Sequence, residues 1–290
     1  MGATTKREPQ TRREQAEYVV ERLTDFGVRI NPSSRIGRML QILRRPEIIE
    51  PDDPVYPIVL ESIRDMYQLR LIVDTMDAHR ESREFRVAAD LLRKDLALPQ
   101  DERKDTPSRN HQFQLYVAAR CTNAGLPTRH EEPDVTCDVE GTMFGIAAKR
   151  LKTIGALDEN VKDAANQIRR AGIPGIMALD LTLAQNPTNR RITSSLESQL
   201  YVHLSHRKYN HLFDKNAERI RQLVAGKGVL AVWVFESTLR LMKDRTWSHD
   251  CWSFWFGTTK NEKEDRLLGQ FQAGFLSGEP NLIDYTANES

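Results

Sequence analysis

Cysteine is scarce: Cys121, Cys137 and Cys251 are the three in 290 residues, with no CxxC pair among them. That excludes a disulfide framework and a zinc module and leaves reduced, mostly buried thiols as the expectation. Long hydrophobic runs are also missing. The longest, Val229 to Phe235, falls far short of the roughly 20 residues that cross a bilayer, and the N-terminus is polar rather than signal-like, so a soluble, cytoplasmic protein is expected. Nor is there an excess of one charge: 42 Lys plus Arg face 41 Asp plus Glu, for a net +1. No whole-molecule field draws in polyanions, so any nucleic-acid binding must come from local patches. The chain has no glycine-rich phosphate loop, no GxSxG and no internal repeat, so ATP hydrolysis, serine hydrolase chemistry and solenoid folds are without support.

What is present divides into two textures. Up to about residue 105 the periodicity is helical. Thr11 and Glu14 form a capping-box pattern, Tyr18, Val19, Leu23 and Phe26 recur at helical spacing, and Gly27 ends the segment. Further helices are expected from Ser33 or Ser34 to before Pro46, from about Val55 to Asp77, and from about Ser82 to Leu98. The stretch PQDERKDTPSR, 99 to 109, is charged, carries two prolines and lacks apolar anchors. It marks a domain junction, giving an all-helical domain over 1–105 and a second domain over 106–290.

The second domain mixes elements. A helix from Gln112 to Ala124 precedes a short strand in LPTRHEEP, then two more strands in PDVTCDVEGTMFGIAAKR, residues 133 to 150. Asp158 to Ala171 reads as a helix ended by Gly172 and Pro174, and the apolar run GIMALDLT, 175 to 182, as a strand covered on both faces. A long helix over about 194–225 and two later strands, GVLAVWVFES and CWSFWFGTT, complete a mixed-sheet α/β domain.

The 133–150 hairpin carries the chemistry. Alternation puts Asp134, Thr136, Asp138 and Glu140 on one face and Val135, Cys137 and Val139 on the other. On the return strand Phe144, Ile146 and Ala148 are the apolar set, opposite Gly145, Ala147 and Lys149. A two-residue turn at Gly141 and Thr142 would set Asp134 directly across from Lys149 and Thr136 across from Ala147. An ordinary cross-strand ion pair, contributing ~0.2–1 kcal/mol, also accounts for an acid beside a lysine there.

The order of elements and the motifs over residues 108 to 182 resemble the PD-(D/E)xK nucleases, the superfamily of many restriction endonucleases and Holliday-junction resolvases. Their common core is a helix, three antiparallel strands, a helix and a fourth strand. Pro133-Asp134 matches the PD pair, Lys149 the terminal lysine, and Gln167 in DAANQIRR the glutamine many members carry near the site. Ala147 departs from the pattern, because the family normally has Glu or Asp there. The resemblance implies a restriction endonuclease-like mixed sheet flanked by helices, behind the all-helical N-terminal domain. It implies Mg2+ or Mn2+, with Asp134 as ligand, the carbonyl of Ala148 as an auxiliary ligand, Lys149 as electrostatic partner, and Gln167 orienting water or the metal shell. A replacement for the missing acid is expected at Asp138, by strand parity, with Glu132, Glu159 and Asp163 as further candidates.

The implied activity is metal-dependent hydrolysis of DNA phosphodiesters in host defence or DNA processing, with RNA also open. The alternative is the same fold without catalysis, binding nucleic acid or protein, and Ala147 is its main support. Arg150 and Lys152 flank the site and are the expected phosphate contacts. Expected partners are DNA, a protein bound through the helical domain and a second copy of the chain; a membrane is not expected. His203, His206 and His211 read as a solvated basic helix face, as do the clusters at Arg35, Arg38, Arg44 and Arg45 and at Arg169 and Arg170. Trp233, Trp247, Trp252 and Trp255 read as core.

Overall fold

A computed structural model describes residues 11–44, 52–92, 107–188, 193–194, 212–241, 247–278 and 286–287. The first helices follow the local signals. In α1 (Arg12–Asp25) the Thr11 hydroxyl accepts from the Glu14 N–H while the Glu14 carboxylate accepts from the Thr11 N–H, a complete capping box. Ser34 caps α2 (Arg35–Leu43) and Ser82 caps α4 (Arg83–Leu91). Between them lies α3 (Tyr56–Thr75), most of whose residues are buried. The helix before the sheet, α5 (Pro107–Asn123), starts five residues earlier than its sequence pattern indicated.

Among the described residues eight strands make one mixed sheet. The strands are β1 (Thr128–Arg129), β2 (Val135–Val139), β3 (Thr142–Arg150), β4 (Gly175–Asp180), β5 (Thr193–Ser194), β6 (Val229–Leu241), β7 (Trp247–Gly257) and β8 (Thr286–Ala287). They lie in the order β1-β2-β3-β4-β6-β7-β8, with β5 on β6. The β1/β2 and β2/β3 pairs are antiparallel, β3/β4 and β4/β6 parallel, and β6/β7 antiparallel again. Helix α6 (Leu157–Ala171) connects β3 to β4 and ends at Gly172 in the left-handed region; α7 (Thr182–Gln185) follows β4. Residues 212–224, α8, lead to β6, and α9 (Glu262–Gly278) follows β7. Thr193 and Ser194 lie in a strand, so the long helix expected over 194–225 does not begin there; 195–211, including the three histidines, fall outside the described residues.

Alternation along the central strands separates two apolar layers. Phe144, Ile146, Ala148, Ile176, Ala178, Trp233 and Phe235 face α1 to α5 and α9, whereas Ala147, Met177, Leu179, Val232 and Val234 face α6 and α8. The first cluster runs without a break from Ala16 in α1 through Phe113 in α5 to Phe275 in α9. The N-terminal helices therefore share a core with the sheet, and the junction expected near residue 105 falls outside the described residues. Trp233 is fully buried and stacks on Trp255 at 4.7 Å. Cys121 and Cys137, far apart in sequence, meet in this layer as buried free thiols, and their mutual hydrogen bond with burial pushes the Cys121 thiol up. No helix among the described residues is long and apolar enough to cross a membrane.

The helical layer is fastened to α5 by buried charge. Arg35 of α2 and Gln112 of α5 both donate to Asp65 of α3, and Arg109 of α5 pairs with Glu61 of α3. Arg35, Glu61, Asp65 and Arg109 are each no more than 6% exposed. Arg35, grouped by sequence with a solvated basic surface, is thus an interior residue.

Candidate functional site

The hairpin turn is Glu140-Gly141, one residue earlier than expected. Both residues have positive φ, +52° and +81°, as a type I′ turn requires, and the Asp138 carboxylate accepts from the Gly141 N–H at 2.7 Å. The register pairs Val135 with Ile146 and Val139 with Thr142. Continued by one residue, it sets Asp134 across from Ala147, with Lys149 diagonal to it rather than opposite. A shift of two leaves every side chain on its expected face, since only odd slips exchange faces. Asp134 and Lys149 therefore share one face at the end of the hairpin away from the turn.

Three elements grip Asp134. From α5 the Gln114 amide donates to Oδ1 at 2.8 Å; from α6 the Gln167 amide donates to the same oxygen at 3.5 Å and to the Pro133 carbonyl at 3.1 Å. In the plane of the sheet the Ala148 N–H donates to Oδ2 at 2.8 Å. Burial disfavours the charge on Asp134, and Lys149 with the Ala148 N–H opposes this only in part, so the carboxyl is pushed up to about 6. A carboxyl so perturbed by burial, beside a lysine, is the kind of group from which functional sites are built.

The even-numbered residues of β3 turn their N–H and C=O groups toward β2, because the odd Gly145 N–H donates the other way, to Pro174, while the Ala148 N–H donates to Asp134. Since β2 begins at Val135, the Ala148 carbonyl lies past its end, on the strand edge that Asp134 occupies. The amide oxygen of Gln167, whose NH2 donates to Asp134, is buried without a hydrogen-bond partner. The Asp134 carboxylate, the Ala148 carbonyl and the Gln167 amide oxygen are all oxygen donors, the ligand type that suits Mg2+ or Mn2+. They are a thin set: no group of three His, Cys, Asp or Glu that could hold a metal occurs among the described residues. The donors fit a cation that also takes oxygens from a phosphate and from water.

Several expectations need correction. Asp138 caps the turn at the far end of β2, four residues or ~13 Å along the strand from Asp134, and cannot share a cation with it. Ala147 is fully buried in the layer under α6, so the volume a second acid would need is filled. Glu132 is exposed and pairs with Arg170, while Glu159 and Asp163 are exposed on α6. Arg150 is not a free phosphate contact: its Nε donates to the buried Asp180 at 3.0 Å, and alternation turns it to the face opposite Lys149. Lys152 is half-buried just beyond β3. Gln114 was missed altogether, because nothing in α5 sets it apart from other polar residues until its partner 20 residues on is known.

Gly145 helps set the site. A Cβ there would come within 2.8 Å of Cδ and 3.0 Å of Cγ of Pro133, so the proline ring lies directly on β3. Gly145→Ala is expected to cost about 1–3 kcal/mol by overpacking and to displace Asp134 through its neighbour. Denaturant unfolding, with the ionisation midpoint of Asp134 followed by carbon-13 NMR, checks both effects; a variant as stable as the parent with an unmoved midpoint refutes them. Comparisons with protein-family models, with curated proteins and with solved structures find no match for this chain.

Proposed function

We propose that the chain is a metal-dependent nuclease acting on DNA phosphodiesters, with its site at Asp134, Ala148, Lys149 and Gln167. The observation that carries this reading is the convergence of a half-buried carboxylate of raised pKa, a lysine and a backbone carbonyl past the end of β2, at one end of a hairpin. The order α5, β1, β2, β3, α6, β4, with its antiparallel and then parallel pairing, supports a restriction endonuclease-like fold.

Asp134, the Ala148 carbonyl and the Gln167 amide oxygen would hold Mg2+ or Mn2+. When bound, the cation neutralises phosphate charge and lowers the pKa of water. Lys149 supplies a fixed positive charge for the oxygen on which negative charge grows in the transition state, at no reorganisation cost when the reaction occurs. The single-carboxylate set predicts weak binding of the cation alone and stronger binding with DNA present.

A second reading, nucleic-acid binding without cleavage, is favoured by the packing of Ala147 where a second acid would stand. Plasmid and linear DNA incubated with Mg2+, Mn2+ or a chelator separate the two. Metal-dependent cutting that Lys149→Ala removes supports the nuclease. Binding without cutting, indifferent to chelator, overturns it in favour of the binding module.

A further inference from the structure

Asp134 is held from the α5 side by a chain of two residues. Gln114 Nε2 donates to Asp134 Oδ1 at 2.8 Å, and Gln114 Oε1 lies 2.8 Å from His111 Nδ1. His111 and Gln114 stand three apart on α5 and share a face. Their directions follow from the groups themselves. A carboxylate only accepts, so the Gln114 NH2 must face Asp134; the amide oxygen then faces His111 and only accepts, so His111 Nδ1 must carry a hydrogen. The opposite amide orientation would set an oxygen against the carboxylate.

We infer that His111 and Gln114 are a positioning pair for Asp134: the Nδ1–H tautomer of His111 fixes the Gln114 amide, and the amide fixes the carboxylate in its ligating rotamer. The importance of this pair to cation binding rests on the proposed function; its geometry does not. The pair matters because the cation set is thin. With one carboxylate available, affinity depends on that carboxylate standing ready rather than being ordered on binding. The α6 side offers only the longer 3.5 Å contact from Gln167, which is shared with the Pro133 carbonyl, so α5 provides the stronger side-chain hold.

Nitrogen-15 NMR of the histidine-labelled full chain, at a pH where imidazole is neutral, reads the tautomer of His111 directly. The expected result is Nδ1–H in the parent and reversion to Nε2–H in Gln114→Leu, in the absence of any metal or DNA. Titration with Mn2+ alone reads the consequence. Gln114→Leu and His111→Leu are expected to bind about 3- to 10-fold more weakly, the effect of one lost hydrogen bond. His111→Asn, whose amide nitrogen takes the place of Nδ1, should recover affinity to within about twofold. Nε2–H in the parent overturns the pair outright, as does His111→Asn binding no better than His111→Leu. If the parent takes up no Mn2+ at all, the proposed function fails instead, and the tautomer alone decides the pair.

Discussion

Asp65→Ala is expected to remove about 3–5 kcal/mol of folding stability, the cost of leaving buried cations without their counter-charge. Asp65 accepts from Arg35 Nη1 and, at 3.0 Å, from Gln112 Nε2, and it lies 3.6 Å from Arg109. Burial alone would raise its pKa, but Arg35 and Arg109 outweigh burial and hold the carboxyl down at about 2. That depression means the contribution is present above the usual value of 3.8 and is lost as the pH falls toward 2. Because total stabilities run to only ~5–15 kcal/mol, the variant should unfold at a much lower denaturant midpoint. Removing both signs is a different experiment. In Arg35→Met/Asp65→Leu neither charge is left stranded against the other, so the double variant should lose less than the sum of the single losses, as a double-mutant cycle would show. Additive losses would mean the two groups do not form one unit.

The consequence reaches the site. Arg109 and Gln112 stand just before His111 and Gln114 on α5, so the ion network that seats the start of this helix also sets where Gln114 meets Asp134. This is also where legibility from sequence ended. Local devices could be read directly: the Thr11 box, the Ser34 cap and Gly172 after α6 all depend on residues within four positions of one another. Strand faces were legible for the same reason, since alternation is local. The hairpin register was not, because the residue that takes the left-handed conformation before Gly141 is Glu140, beside the Asp138 bond to Gly141, whereas Asn, Asp or Gly is the residue expected at that first position of a type I′ turn. Arg35 looked like surface because its partners lie 30 and 77 residues away. Long-range polar pairs leave no periodic trace, and they account for both the buried network and Gln114.

Lys149→Ala is expected to lower metal-dependent DNA cleavage by about 10²–10³-fold, the usual effect of removing one preorganised charge from a transition state, and Asp134→Ala by at least as much. The two substitutions separate on pH. Asp134 binds a cation only when ionised, so Mn2+ affinity should be flat above about pH 6 and fall about tenfold per unit below it. Lys149 is the foremost influence holding that pKa down, so Lys149→Met should move the midpoint above 6, and Lys149→Arg, which keeps the charge but replaces a compact ammonium with a planar fork, should restore the midpoint without restoring the rate. Stability carries the opposite sign to affinity. A carboxyl whose pKa rises from 3.8 to about 6 on folding favours the folded state most below 3.8, and that contribution is lost as the pH climbs through 6. After allowance for partial exposure the loss is about 2–3 kcal/mol, and Asp134→Ala should show a stability profile flatter by that amount between pH 4 and 7. A carboxylate that weakens the fold while ionised, yet under the proposed function must be ionised to bind the cation, is what a role in chemistry rather than in stability predicts. If the parent and Asp134→Ala had parallel stability profiles and equal Mn2+ uptake, Asp134 would be an ordinary hairpin acid and Lys149 its surface partner.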